Sequence, residues 1–79
     1  MLKKNQIVKL LCVDCSDEGF LGLKMVGNVY EGRVTVVRGA RVHVKIKALP
    51  NAIVFEQVGD LLKSNEHGFT VDLRVVEVN

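Results

Sequence analysis

Residues 30–47, Tyr-Glu-Gly-Arg-Val-Thr-Val-Val-Arg-Gly-Ala-Arg-Val-His-Val-Lys-Ile-Lys, alternate apolar and polar side chains on both sides of a glycine. A period of two belongs to a strand with one face in a core and the other in water. Tyr30, Gly32, Val34 and Val36 would share one face of the first arm, with Glu31, Arg33, Thr35 and Val37 on the other. In the second arm Val42, Val44 and Ile46 would point inward, and Arg41, His43, Lys45 and Lys47 outward. Arg38-Gly39 is the expected tight connection, because glycine supplies the positive φ that hairpin turns need.

The rest of the chain fits more strands around this pair. Gln6–Asp14 reads as a strand apolar on both faces and so well buried. Cys15–Gly19 reads as loop, and Phe20–Val26, broken by Gly22 and Gly27, as an irregular excursion tucking Leu21, Leu23 and Val26 under the sheet. Pro50 cannot donate to a ladder and ends the hairpin arm. Ala52–Leu62 fits either a strand or a helical stripe capped by Asn51. Ile-Val-Phe and Gly59 favour a strand through Val58, with a short helical turn over Asp60–Lys63. Ser64–Gly68 reads as a polar loop. Phe69–Val78 is the last strand, with Phe69, Val71, Leu73 and Val75 on one face and a bulge at Val75-Val76. Five strands with no βαβ alternation form an all-β single domain. A sheet this small removes its edges by curling into an SH3-like or OB-like barrel.

Composition narrows the function. A chain of 79 residues buries only roughly 60% of its unfolded surface. Its hydrophobic fraction of 48% is far from that of a disordered segment. No apolar run approaches the roughly 18 residues of a membrane span, and no signal-peptide core follows the N-terminus, so a cytoplasmic protein is expected. The net charge of +2 is unevenly spread: residues 24–47 carry +5, residues 48–79 carry −3, and residues 1–23 are neutral. A polarised surface follows if these segments fold to different faces.

Leu11-Cys12-Val13-Asp14, a loop, then Leu23-Lys24-Met25-Val26-Gly27-Asn28-Val29-Tyr30-Glu31 resembles the N-terminal pattern of short phage and prophage proteins with SH3-like barrels. Those proteins pass from an apolar strand ending in Cys and acids into Leu-x-x-Gly-x-x-Tyr. Here one extra residue precedes Gly27, and Gly27-x-x-Tyr30 is intact. The resemblance covers about the first 35 residues. The basic hairpin and the Phe55 segment depart from the pattern. The resemblance implies a phage-like, non-enzymatic barrel and transfers no binding residues.

Three groups of residues could carry chemistry. Cys12-Val13-Asp14-Cys15 is a C-x-x-C, which can be half of a zinc site or a redox pair. A structural zinc needs four ligands, and His43 and His67 lack the H-x3–5-H spacing. A redox pair opens a helix, whereas this one ends a strand, so Cys12 reads as a small core hydrophobe and Cys15 as loop. Asp14, Asp17 and Glu18 lack the ligand spacing of a calcium loop and read as a solvated turn. The basic row Arg41, His43, Lys45 and Lys47, with Arg33 and Arg38 nearby, can meet an acidic protein or a phosphate backbone, or simply guard a sheet surface against aggregation. Single-strand binders stack bases on outward aromatics, and only Phe20, Tyr30, Phe55 and Phe69 are available. Gly19, Gly22 and Gly27 fit no phosphate-binding loop, and neither histidine sits in a catalytic motif.

The expectation is a non-catalytic binding module without cofactor, docking on a protein partner of acidic character through the basic hairpin. Nucleic-acid binding is the alternative, and a zinc or redox role for Cys12 and Cys15 the second. No membrane partner is expected, and a homodimer stays open.

Overall fold

The computed structural model describes residues 2–16, 26–66 and 69–79. Among these residues six strands run in chain order: β1 Ile7–Cys15, β2 Val29–Arg38, β3 Arg41–Ile46, β4 Ile53–Val58, β5 Leu61–Glu66 and β6 Phe69–Val78. Each pairs antiparallel with its sequence neighbour, and β6 returns to β1 to close the barrel. Closure leaves the sheet no free edge strand.

The strand count is six rather than five. Residues 60–66 do not form a helical turn and a polar loop. Gly59-Asp60 is instead a two-residue turn, and β5 follows it. Gly59 takes φ +61, and Gly39 takes φ +58 in the equivalent Gly39-Ala40 turn between β2 and β3. The β2–β3 turn is therefore one residue later than Arg38-Gly39. A positive φ at only the first turn residue is the type II′ arrangement, which suits glycine there. Among the described residues no helix is long and apolar enough to cross a membrane.

The core is built by strand alternation. Val8, Leu10 and Cys12 of β1, Val42, Val44 and Ile46 of β3, Phe55 of β4, Leu62 of β5 and Leu73 of β6 are almost wholly enclosed. Leu2 and Leu49, outside the strands, are also buried and join the same cluster. A barrel of so few strands is filled by its own side chains. Gly32 on β2 faces inward, where a Cβ would lie 2.7 Å from Val44 Cγ1 and 3.3 Å from the Lys45 carbonyl oxygen. A methyl group at that position would force Val44 or the paired backbone to shift.

Bulges set the phase of the outer face. Register shifts fall between Val34 and Val36 of β2, and at Lys9/Leu10 and Cys12/Asp14 of β1 against β6. The Lys9/Leu10 shift leaves Val76 as the extra residue of β6, at the expected Val75-Val76 position. In β2 the extra residue is Thr35, whose Oγ1 donates to the His43 carbonyl (3.3 Å). One inserted residue exchanges the two faces beyond it. Val36 therefore pairs with outward His43, and Val37 pairs with buried Val42 and packs on the core, the reverse of simple alternation. β1 is also less enclosed than its two apolar faces implied, with Val13 and Lys9 exposed. Val26 is exposed rather than tucked under the sheet, and the remainder of the Phe20–Val26 excursion lies outside the described residues.

Candidate binding surface

The basic row is not continuous. Arg41 opens β3 directly opposite Arg38, a like-charged pair flanking the turn. Arg33 on β2 stands opposite Lys45 near the other end of β3. Between these two pairs, His43 has Val36 on one side and Val54 of β4 on the other. His43 and Val36 are half-buried and Val54 is exposed. The outer surface thus carries a small apolar saddle with cationic groups on both flanks.

The cations differ in availability. Lys45 Nζ donates to the Ile46 carbonyl (3.0 Å) and to the Leu49 carbonyl. It fastens the chain leaving β3 and so holds buried Leu49 in place, with Leu49 N–H donating to Ile46 (2.9 Å). Lys47 lies beyond the end of β3, and its backbone N–H extends the β2–β3 ladder to the Glu31 carbonyl (2.8 Å). Its side chain is exposed. Arg33, Arg38 and Arg41 are exposed as well.

Beside the turn, the surface dips into an open groove of about 580 Å³ lined by Arg38, Ala40, Arg41, Val54, Phe55, Glu56 and Lys63. A second groove of about 440 Å³, lined by Glu56, Lys63, Ser64, Thr70 and Asp72, shares two of those residues. β4 and β5 are registered only over Glu56↔Lys63, Gln57↔Leu62 and Val58↔Leu61, so the seam between them is short. The grouping of Glu56, Lys63 and Asp72 depends on β5 and is not legible in the sequence. Without that strand Lys63 has no cross-strand neighbours. Among the described residues, Ser64, buried next to this seam, has no hydrogen-bond partner for its Oγ.

Cys12 and Cys15 both turn toward the core. In a regular strand, residues three apart face opposite sides; the bulge between Cys12 and Asp14 returns Cys15 to the inner face, opposite buried Val71. Cys15 is thus packed against the core rather than set in a loop. Both cysteines are free thiols. Burial pushes the Cys12 thiol above its ordinary range, and neighbouring Cys15 adds to the rise. A raised value disfavours the thiolate that metal binding and redox attack require. Among the described residues no group of three or more His, Cys, Asp or Glu is placed to hold a metal ion. Asp17, Glu18 and His67 lie outside the described residues.

Of the aromatics, Phe55 is enclosed and Tyr30 packs against the core, while Phe20 lies outside the described residues. Neither Tyr30 nor Phe55 offers an outward stacking platform. Set against known proteins, the chain matches no family, no curated protein and no solved structure.

Proposed function

We propose that this chain is a non-catalytic, cytoplasmic binding module, an SH3-like barrel of phage-like type, that docks on an acidic protein partner through the outer face of β2 and β3. The observation that carries this is the Val36–His43–Val54 saddle flanked by Arg38 and Arg41 on one side and Arg33 on the other. An apolar centre inside a charged rim is the anatomy of a protein interface. A phosphate-tracking strip would instead repeat its cations without interruption and add stacking aromatics. Here Lys45 is occupied with backbone carbonyls and Glu56 stands opposite Arg41.

The test is affinity capture by the tagged chain from its native cells, read by mass spectrometry, with and without nuclease. The expected result is one enriched acidic protein, retained after nuclease and lost with Arg33→Glu/Arg38→Glu. Capture that disappears with nuclease would transfer the surface to nucleic acid. Capture unchanged in the double variant would remove this face from the interaction.

A further inference from the structure

The β3–β6 side of the barrel carries a charge pattern that the docking face does not explain. Arg41 stands opposite Glu56, Glu56 opposite Lys63, and Lys63 opposite Asp72. These four side chains form one line across four strands, and all of them line the two grooves that share Glu56 and Lys63. Directly opposed unlike charges normally pair across strands. Yet among the described residues the ion pairs within 4.0 Å are Lys9–Glu77 (3.6 Å) and Arg74–Asp60 (3.5 Å), and none joins neighbours of this line.

The order of signs is plus, minus, plus, minus. Read backwards it is minus, plus, minus, plus, which is its own complement. A two-fold axis through the midpoint between Glu56 and Lys63 would bring Arg41 of each copy to Asp72 of the other. It would also bring Glu56 of each copy to Lys63 of the other. Self-complementarity of one patch is the requirement of an isologous dimer. Exposed Val54, on the wall of the same groove, supplies an apolar contact beside the charges.

We infer that the chain forms a two-fold homodimer through the Arg41–Glu56–Lys63–Asp72 line, with a second copy as the occupant of the groove. Exposed ion pairs are individually weak and screened by salt, so the dimer is weak and salt-sensitive. The inference goes beyond the proposed docking face and shares Arg38, Arg41 and Val54 with it. Its test therefore uses Glu56 and Lys63, which lie off β2 and β3.

Sedimentation of the full chain at low salt should give about twice the 8.8 kDa of one copy, falling toward a single copy at high salt. Glu56→Lys or Lys63→Glu alone turns two attractive contacts into two repulsive ones and should weaken the dimer about a hundredfold. An equimolar mixture of the two single variants should recover a heterodimer, since lysines at both positions then face glutamates at both. The double reversal Glu56→Lys/Lys63→Glu should recover the homodimer. Circular dichroism checks that each variant folds, and Glu56→Gln and Lys63→Gln replace any that does not, with a smaller weakening expected. A wild-type chain that stays monomeric at low salt would overturn the inference, as would a dimer that both single variants leave intact. Arg33 lines neither groove, and Glu56 and Lys63 lie off the docking face, so loss of the dimer in their variants leaves capture through Arg33 intact and the two proposals fail separately.

Discussion

The β2–β3 and β4–β5 hairpins are turned alike and held differently. Each has glycine as the first of two turn residues, at φ +58 and +61. β2 and β3 then run together over six registered pairs, whereas β4 and β5 share three. The longer hairpin is fixed by its own ladder. The shorter one relies on its neighbours and the core: β4 on β3 through Arg41↔Glu56 to Val44↔Ile53, β5 on β6 along its full length, and Phe55 and Leu62 inside. A pair of strands can therefore be poorly joined to each other and still be well placed. The grooves of the outer surface lie beside the seam where this happens.

The sharpest way to break the comparison is to truncate one enclosed side chain in each hairpin. Ile46→Ala and Leu62→Ala should each destabilise the barrel by about 2–5 kcal/mol in urea unfolding, since both residues are wholly buried. Similar losses would mean that the short ladder does not leave β5 loosely anchored. A loss at Leu62 well below that at Ile46 would mean that it does. Gly32→Ala comes next. Its Cβ would enter the space of Val44 Cγ1, and overpacking of this kind costs about 1–3 kcal/mol. An unchanged unfolding midpoint would show that β2 and β3 can spread to admit a methyl group.

Ser64→Ala should act in the opposite direction. An unpaired buried hydroxyl carries its desolvation penalty without return, so its removal should stabilise β5 by up to about 1 kcal/mol. Destabilisation would reveal a partner for that oxygen. The smallest effect concerns Cys12. Its folded-state value is raised by burial, so the folded chain holds the thiol proton where the unfolded chain has begun to release it. The resulting stability is complete below the unfolded thiol value and is lost as pH rises through the raised folded value. Unfolding measured from pH 7 to pH 10 should show a decline at the alkaline end that Cys12→Ala reduces. An identical slope in the variant would assign the decline to other groups.

The two hairpins also explain what could be read from the chain alone. Arg41–Ile46 alternates apolar and charged residues, so its inward row was plain, and all three inward residues are enclosed. The β5 sequence Leu-Leu-Lys-Ser-Asn-Glu places a serine on the inward row and so resembles a polar loop. Its strand character comes from pairing on both sides, with β4 and with β6, which the apolar pattern of the segment itself does not display. Bulges divide in the same way. Val75-Val76 betrayed itself by breaking the apolar phase, but Thr35 sits in a run where Val34, Val36 and Val37 suit either face. The basic residues of the surface could thus be named in advance. The saddle that separates them, and the Glu56–Lys63–Asp72 line, required the register.

The β1–β6 closure has a consequence for how the barrel forms. It pairs Val8 with Val78, from opposite ends of the chain. Turn-linked hairpins close within about 1–10 μs, while a pairing so remote in sequence must first overcome the entropy of a long loop. Zipping β1 to β6 is then expected late in folding. Interactions made after the transition state govern escape from the native state more than arrival in it. Truncating Leu73, which stands opposite Cys12 on this seam, should accelerate unfolding far more than it slows refolding in a denaturant-jump experiment. Equal changes in both rates would place the seam in the folding nucleus. If unfolding alone accelerates, the lifetime of the barrel rests on one zipper between β1 and β6.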